Sequence, residues 1–166
     1  MLAEAFRQVL ELEGLPAALR FLNARTRHRF TALYRFEAPW LRNVCMVDRE
    51  NPGLVVAADC PIRESYCSYI HDDERDFAVE DAKQDARVLE HPKRTALLAY
   101  CGVPVFGEDG GCVGTLCHFD PRPRLAPTGE LPLLERAASM LRRHVTAHGA
   151  ARAPKAASVT EATGHA

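Results

Sequence analysis

The spacing of apolar residues changes along this chain, and each change marks an element. Leu2, Phe6 and Val9 follow helical spacing, and Leu15, Ala18, Leu19 and Leu22 do so again, with Gly14-Leu15-Pro16 dividing the two groups. Pro16 suits the first turn of the second helix, where its missing N–H costs nothing. From Phe30 onward, β-branched and aromatic residues predict two strands over 30–36 and 40–47, joined near Glu37-Ala38-Pro39. Beyond the Asn51-Pro52-Gly53 turn, a short strand is expected over 54–58. Ser65 is a candidate cap for a helix over 66–70. A strand follows over 77–80. A short helix is expected over 82–89, after Asp81, and His91-Pro92 ends it.

The segment LLAYCGVPVFGEDGGCVGTLCHFDPRPR, residues 97–124, has two apolar arms around Asp109-Gly110, a strong hairpin signal. Few charges interrupt either arm, which places both in the middle of a sheet, and Pro121 and Pro123 stop the second arm. Symmetric closure on Asp109-Gly110 sets Cys101 opposite His118, Val103 opposite Leu116 and Gly102 opposite Cys117. Thr128 then caps a helix running to about His148. Its Leu131, Leu134, Ala138, Leu141 and Val145 form a seam of about two heptads, which suits either a partner helix or the chain's own sheet. This order predicts an α+β domain over residues 1–148: an antiparallel sheet of about six strands, terminal helices on one face and short helices on the other. Residues 149–166 are small, polar and aperiodic, and read as a disordered tail.

Composition narrows the function classes. The chain of 166 residues is 47% hydrophobic and 26% charged with net charge −1, so nothing favours a nucleic-acid or anionic-membrane partner. No apolar run approaches the roughly 20 residues that span a bilayer. The first residues lack the basic start and apolar core of a signal peptide, so a cytoplasmic location is expected. The six cysteines show neither C-x-x-C nor a paired Cys/His spacing for zinc. At least four lie in strand-like runs and read as reduced, buried thiols.

Ordered motifs then resemble a known family. FAVEDAKQDARVLEHP, followed by the hairpin segment with Tyr100, Gly102, Val103, Pro104, Gly114, Thr115, Leu116, Cys117 and Asp120, and a closing leucine-rich helix, is similar to the GAF domain. The resemblance implies a PAS-like fold and a small-molecule pocket between the sheet and the 66–70 helix. It also implies a sensory role in signal transduction, with an unidentified ligand and cofactor. A homodimer through the terminal helices, or a separate signalling partner, is implied as well, because no output module shares the chain. On that reading Tyr66, Cys67, Tyr69, Cys101, Cys117 and His118 are the candidate ligand contacts. The Asn-Lys pair of cyclic-nucleotide binders is absent, and the single Cys-His pair, Cys117-His118, lies on a strand rather than on the helix that bilin binders use.

The enzymatic members that the resemblance brings in are free-methionine-sulfoxide reductases, which work by thiol chemistry. Cys60 and Cys67 lie near two of that group's cysteines, and Glu90-His91-Pro92-Lys93 stands where its third belongs. The expectation puts a binding module ahead of this enzyme, with a ligand-free dimerisation module as a third possibility. Asp72-Asp73-Glu74-Arg75-Asp76 reads as a solvated turn and not a metal loop. Asp81 and Asp85 read as local caps, with Arg87 as an ion-pair partner, and Asp120 as the residue fixing the turn into Pro121.

Overall fold

The computed structural model describes residues 1–147, so the predicted tail over 149–166 lies outside the described residues. Two helices open the chain: α1 (Leu2–Glu13) and α2 (Leu15–Asn23), separated at Gly14, whose φ of +89° favours glycine. Strands β1 (Phe30–Glu37) and β2 (Trp40–Asp48) make the first hairpin, with a bulge at Leu33/Tyr34. A two-residue β3 (Cys60–Pro61), helix α3 (Cys67–Asp73) and β4 (Phe77–Val79) follow. The second hairpin is β5 (Ala99–Phe106) with β6 (Cys112–Asp120), and α4 (Leu131–Ala147) closes the described chain. All strand pairings are antiparallel, in the order β3-β2-β1-β6-β5-β4. The expected α+β architecture is therefore present.

The second hairpin has the register that its turn dictates. Cys101 pairs with His118, Gly102 with Cys117 and Val103 with Leu116. Gly110 supplies the left-handed φ of +86°, and Asp109 accepts the Gly111 N–H at 3.0 Å. β6 lies between β1 and β5, so both of its edges are paired.

The sheet carries a core on each face. Helices α1, α2 and α4 cover Leu33, Cys45, Val47, Val103, Val105 and Leu116 with Phe6, Leu19, Leu22, Leu134 and Leu141. On the other face, α3 and the connecting loops cover Ala32, Tyr34, Met46, Tyr100, Cys117 and Phe119. The α4 seam is spent inside the chain: Leu134, Ala138, Leu141 and Val145 are all buried. Burial of each leucine there contributes about 1.5–3 kcal/mol to the fold, so this stripe is not free to hold a partner helix.

Two expected elements are replaced. Residues 82–89 form only a 3-10 turn, Ala86–Val88, because the Asp81 and Asp85 carboxylates take the N–H groups of Lys83 and Arg87 at 3.0 Å each. Residues 54–58 are not a strand. They are tied to β2 by Met46 N–H donating to Val55 O and by Ala57 N–H donating to the Asn43 side chain, and the edge strand forms at Cys60–Pro61 instead. Among the described residues, no helix is long and apolar enough to cross a membrane.

Candidate thiol site

Ser65 begins the site. Its hydroxyl accepts the Cys67 N–H at 3.0 Å, which turns the chain into α3 with Cys67 in the first turn, facing the sheet. The Cys67 Sγ then lies 3.2 Å from Thr115 Oγ1 and accepts a hydrogen bond from Tyr100 Oη at 3.2 Å; Cys117, in the same core, donates its thiol proton to Ala32 O at 3.8 Å. Thr115 and Cys117 alternate onto the same face of β6, and Cys117 pairs across the hairpin with Gly102. A Cβ at Gly102 would sit 2.5 Å from Tyr100 Oη and 2.8 Å from Ile70 Cδ1. The missing side chain is therefore what lets Tyr100 and α3 close over this spot.

The electrostatics single out one cysteine. Burial alone would push the Cys67 thiol up, but hydrogen bonds from Cys117, Ser65, Thr115 and Tyr100 outweigh it and pull the pKa down to about 7. Every other thiol moves the opposite way. Burial pushes Cys60 and Cys101 up to about 12 and Cys45 and Cys112 up to about 11, and Cys117 rises well above its usual value. Tyr100 is likewise raised by burial and by the neighbouring thiols, so it stays a donor. The arrangement is a thiol among neutral donors that favour its ionised form.

Outside this centre lies an aromatic layer. The Tyr66 ring stacks on His91 at 4.5 Å between centroids, and its hydroxyl donates to Leu97 O at 2.8 Å. Tyr69 stacks on Phe77 at 4.4 Å, with the Arg87 guanidinium 4.8 Å above Phe77 and ion-paired to Asp85 at 2.7 Å. Tyr66, Cys67, Ile70 and Tyr100 have no exposed surface, so the layer between α3 and the sheet is filled by side chains. Open depressions lie elsewhere. One is a groove of about 370 Å³ lined by Glu74, Arg75, Phe106, Glu135 and Arg142, among others.

The sheet divides the six candidate ligand contacts. Tyr66, Cys67 and Cys117 meet on the α3 face, Cys60 packs into the same core, and Tyr69 lies at the rim. Cys101 and His118 point to the helix-covered face, away from Cys67. There His118 Nδ1 contacts Thr31 Oγ1 at 2.7 Å, and its ring stacks on His28 at 5.8 Å. Burial lowers His118 to about 3 and His28 to about 4, so both rings are neutral. Thr31 in turn accepts from Asn23 at 2.9 Å. His118, Thr31 and Asn23 are thus paired within the core, and His28 Nδ1 contacts Thr26 Oγ1 at 2.6 Å while its Nε2 is buried without a partner among the described residues.

Tyr100, Gly102 and Thr115, which the sequence presented only as motif positions and not as candidate contacts, build the thiol's surroundings. The signal was present, since the register that sets Gly102 opposite Cys117 also puts Tyr100 and Thr115 on the same face.

No protein-family model matches the chain, and neither does any curated protein. Solved structures share its fold. A GAF domain of an Acinetobacter phosphoenolpyruvate-protein phosphotransferase superposes with a TM-score of 0.71 at 14% identity, over 91% of this chain and 95% of that one. The type II free methionine-R-sulfoxide reductase of Thermoplasma acidophilum gives 0.62 at 16% identity, over 89% and 96%. The free methionine-R-sulfoxide reductase of Neisseria meningitidis in complex with its substrate gives 0.62 at 16%, over 87% and 90%. At these identities the likeness establishes the fold that sensory GAF domains and these reductases have in common. It also corrects the expectation that ranked a non-enzymatic binding module first, because catalytic structures cover this chain as fully as sensory ones do.

Proposed function

We propose that this chain is a thiol-dependent reductase of a small sulfoxide of the free methionine sulfoxide type, with Cys67 as the attacking group. The observation that carries the proposal is the Cys67 environment: a fully buried thiol with the Thr115 and Tyr100 hydroxyls each 3.2 Å from its sulfur, donors that pull its pKa down. A thiolate there attacks the sulfoxide sulfur, and the sulfoxide oxygen is transferred to the cysteine with uptake of a proton. A thioether leaves and Cys67 becomes a sulfenic acid. A second thiol and an external dithiol then return it to the reduced state. The shared fold with structures of free methionine-R-sulfoxide reductases supports the substrate class.

The test is turnover. Incubation of the full chain with free methionine sulfoxide and dithiothreitol should release methionine catalytically, and Cys67→Ser should release none. Absence of methionine from the unaltered, folded chain would reject the proposal.

A second reading, small-molecule sensing at the same place, draws on the half-exposed Tyr69 and on Phe77 and His91 beside α3, where a flat apolar ligand could stack. Saturable ligand binding without consumption of the ligand would favour it.

A further inference from the structure

We infer that Cys117 is the resolving thiol, and that oxidation of Cys67 ends in a Cys67–Cys117 disulfide tying α3 to the central strand β6. The inference rests on the reading of Cys67 as the reactive thiol and adds its partner, which does not come from the segment over 90–93.

Geometry selects Cys117 from the five other cysteines. The Cys67 and Cys117 side chains are completely buried in one core, and Cys117 lies on the β6 face that Cys67 packs on. It is two residues from Thr115, whose hydroxyl is 3.2 Å from Cys67 Sγ, and opposite Gly102, over which the Tyr100 hydroxyl reaches Cys67. Cys101 and Cys45 lie across the sheet, in the helix-covered layer. Cys112, at the start of β6, donates its thiol proton to Gly114 O at 3.4 Å. Cys60, in the edge strand β3, shares the core with Cys67, but the hydroxyls that touch the Cys67 sulfur come from β5 and β6, not from β3. Residues 90–93 supply His91, which packs on Tyr66 and has no sulfur to offer.

The chemistry balances within this pair. A hydroperoxide or a sulfoxide takes two electrons from the Cys67 thiolate and leaves its oxygen there, protonated, as the sulfenic acid. The Cys117 sulfur then bonds to the Cys67 sulfur as the S–O bond breaks, and the hydroxyl departs with the Cys117 proton as water. An external dithiol resets the pair by exchange, becoming a disulfide itself. Cys117 keeps its proton until that step because burial holds its thiol neutral, and Tyr100 and Thr115 keep Cys67 aimed at β6.

Peptide mapping after oxidation tests the pairing without requiring any sulfoxide turnover. The folded chain, treated with hydrogen peroxide and then alkylated, should yield a linked 67–117 peptide pair approaching one per molecule, reversed by dithiothreitol. In Cys117→Ser the reaction should stop at a Cys67 sulfenic acid that dimedone traps. A link from Cys67 to Cys60 or Cys112, or an unmodified Cys67 in the folded protein, overturns the inference. A 67–117 link in a chain that never reduces methionine sulfoxide upholds the pair and removes only the reductase reading.

Discussion

The two faces of the sheet bury polar groups to opposite ends. Under α1, α2 and α4, His118, Thr31 and Asn23 hydrogen-bond in series beside the stacked His28 ring, and burial keeps both rings uncharged. Under α3, the same depth of burial surrounds one sulfur with donors and favours its charged form. Burial alone does not distinguish a functional group from a structural one. What separates the faces is the donor count around the group: a lone ring paired to a hydroxyl stays neutral, whereas a thiol facing several donors ionises.

Breaking the helix-covered face should have the largest effect. Leu134→Glu with Leu141→Glu places two unpaired carboxylates in that core, and each change belongs to the class that costs more than about 3 kcal/mol. Circular dichroism should show loss of the fold, not a folded chain of lower mass as a terminal-helix seam dimer would give. On the α3 face, Cys67→Ser should abolish turnover. It should leave the melting temperature within a few degrees, because the hydroxyl can keep the Thr115 and Tyr100 contacts.

The histidine pair gives the helix-covered face a pH signature. His28 and His118 titrate lower in the fold, at about 4 and about 3, than the usual value of about 6.5. Below that value the unfolded chain binds protons that the folded chain refuses. Stability should therefore be full above it and fall progressively as the pH drops toward 4 and then 3. Urea unfolding at stepped pH checks this, and His118→Phe should flatten the acid limb if the variant folds. The smallest change sharpens the thiol face. Tyr100→Phe deletes one donor to Cys67 and should raise the thiol's pKa. Iodoacetamide labelling of Cys67 at neutral pH should then slow by up to roughly 10-fold.

Much of this contrast was legible in the sequence. The Asp109-Gly110 turn set the β5–β6 register, and the register alone determined that Cys101 and His118 share a face while Gly102 and Cys117 share the other. What the register did not reveal was which face α3 would cover, so candidates from both were grouped as one site. The helical pattern over 82–89 failed because Asp81 and Asp85 bind the backbone N–H groups that a helix would need. The strand expected over 54–58 failed for a related reason, since the Asn43 side chain occupies the Ala57 N–H that a ladder would use. Tyr100 and Thr115 were visible as strand residues, but their convergence on Cys67 depends on α3 docking over Gly102.

The central claim is that Cys67 is a thiolate near neutral pH. It is tested most directly by titrating the far-ultraviolet thiolate absorbance of the folded chain and subtracting the same titration of Cys67→Ser. The difference should show one ionisation centred at about 7. A difference curve with no ionisation until the range of an ordinary free cysteine, about 8.5 or above, would contradict the account.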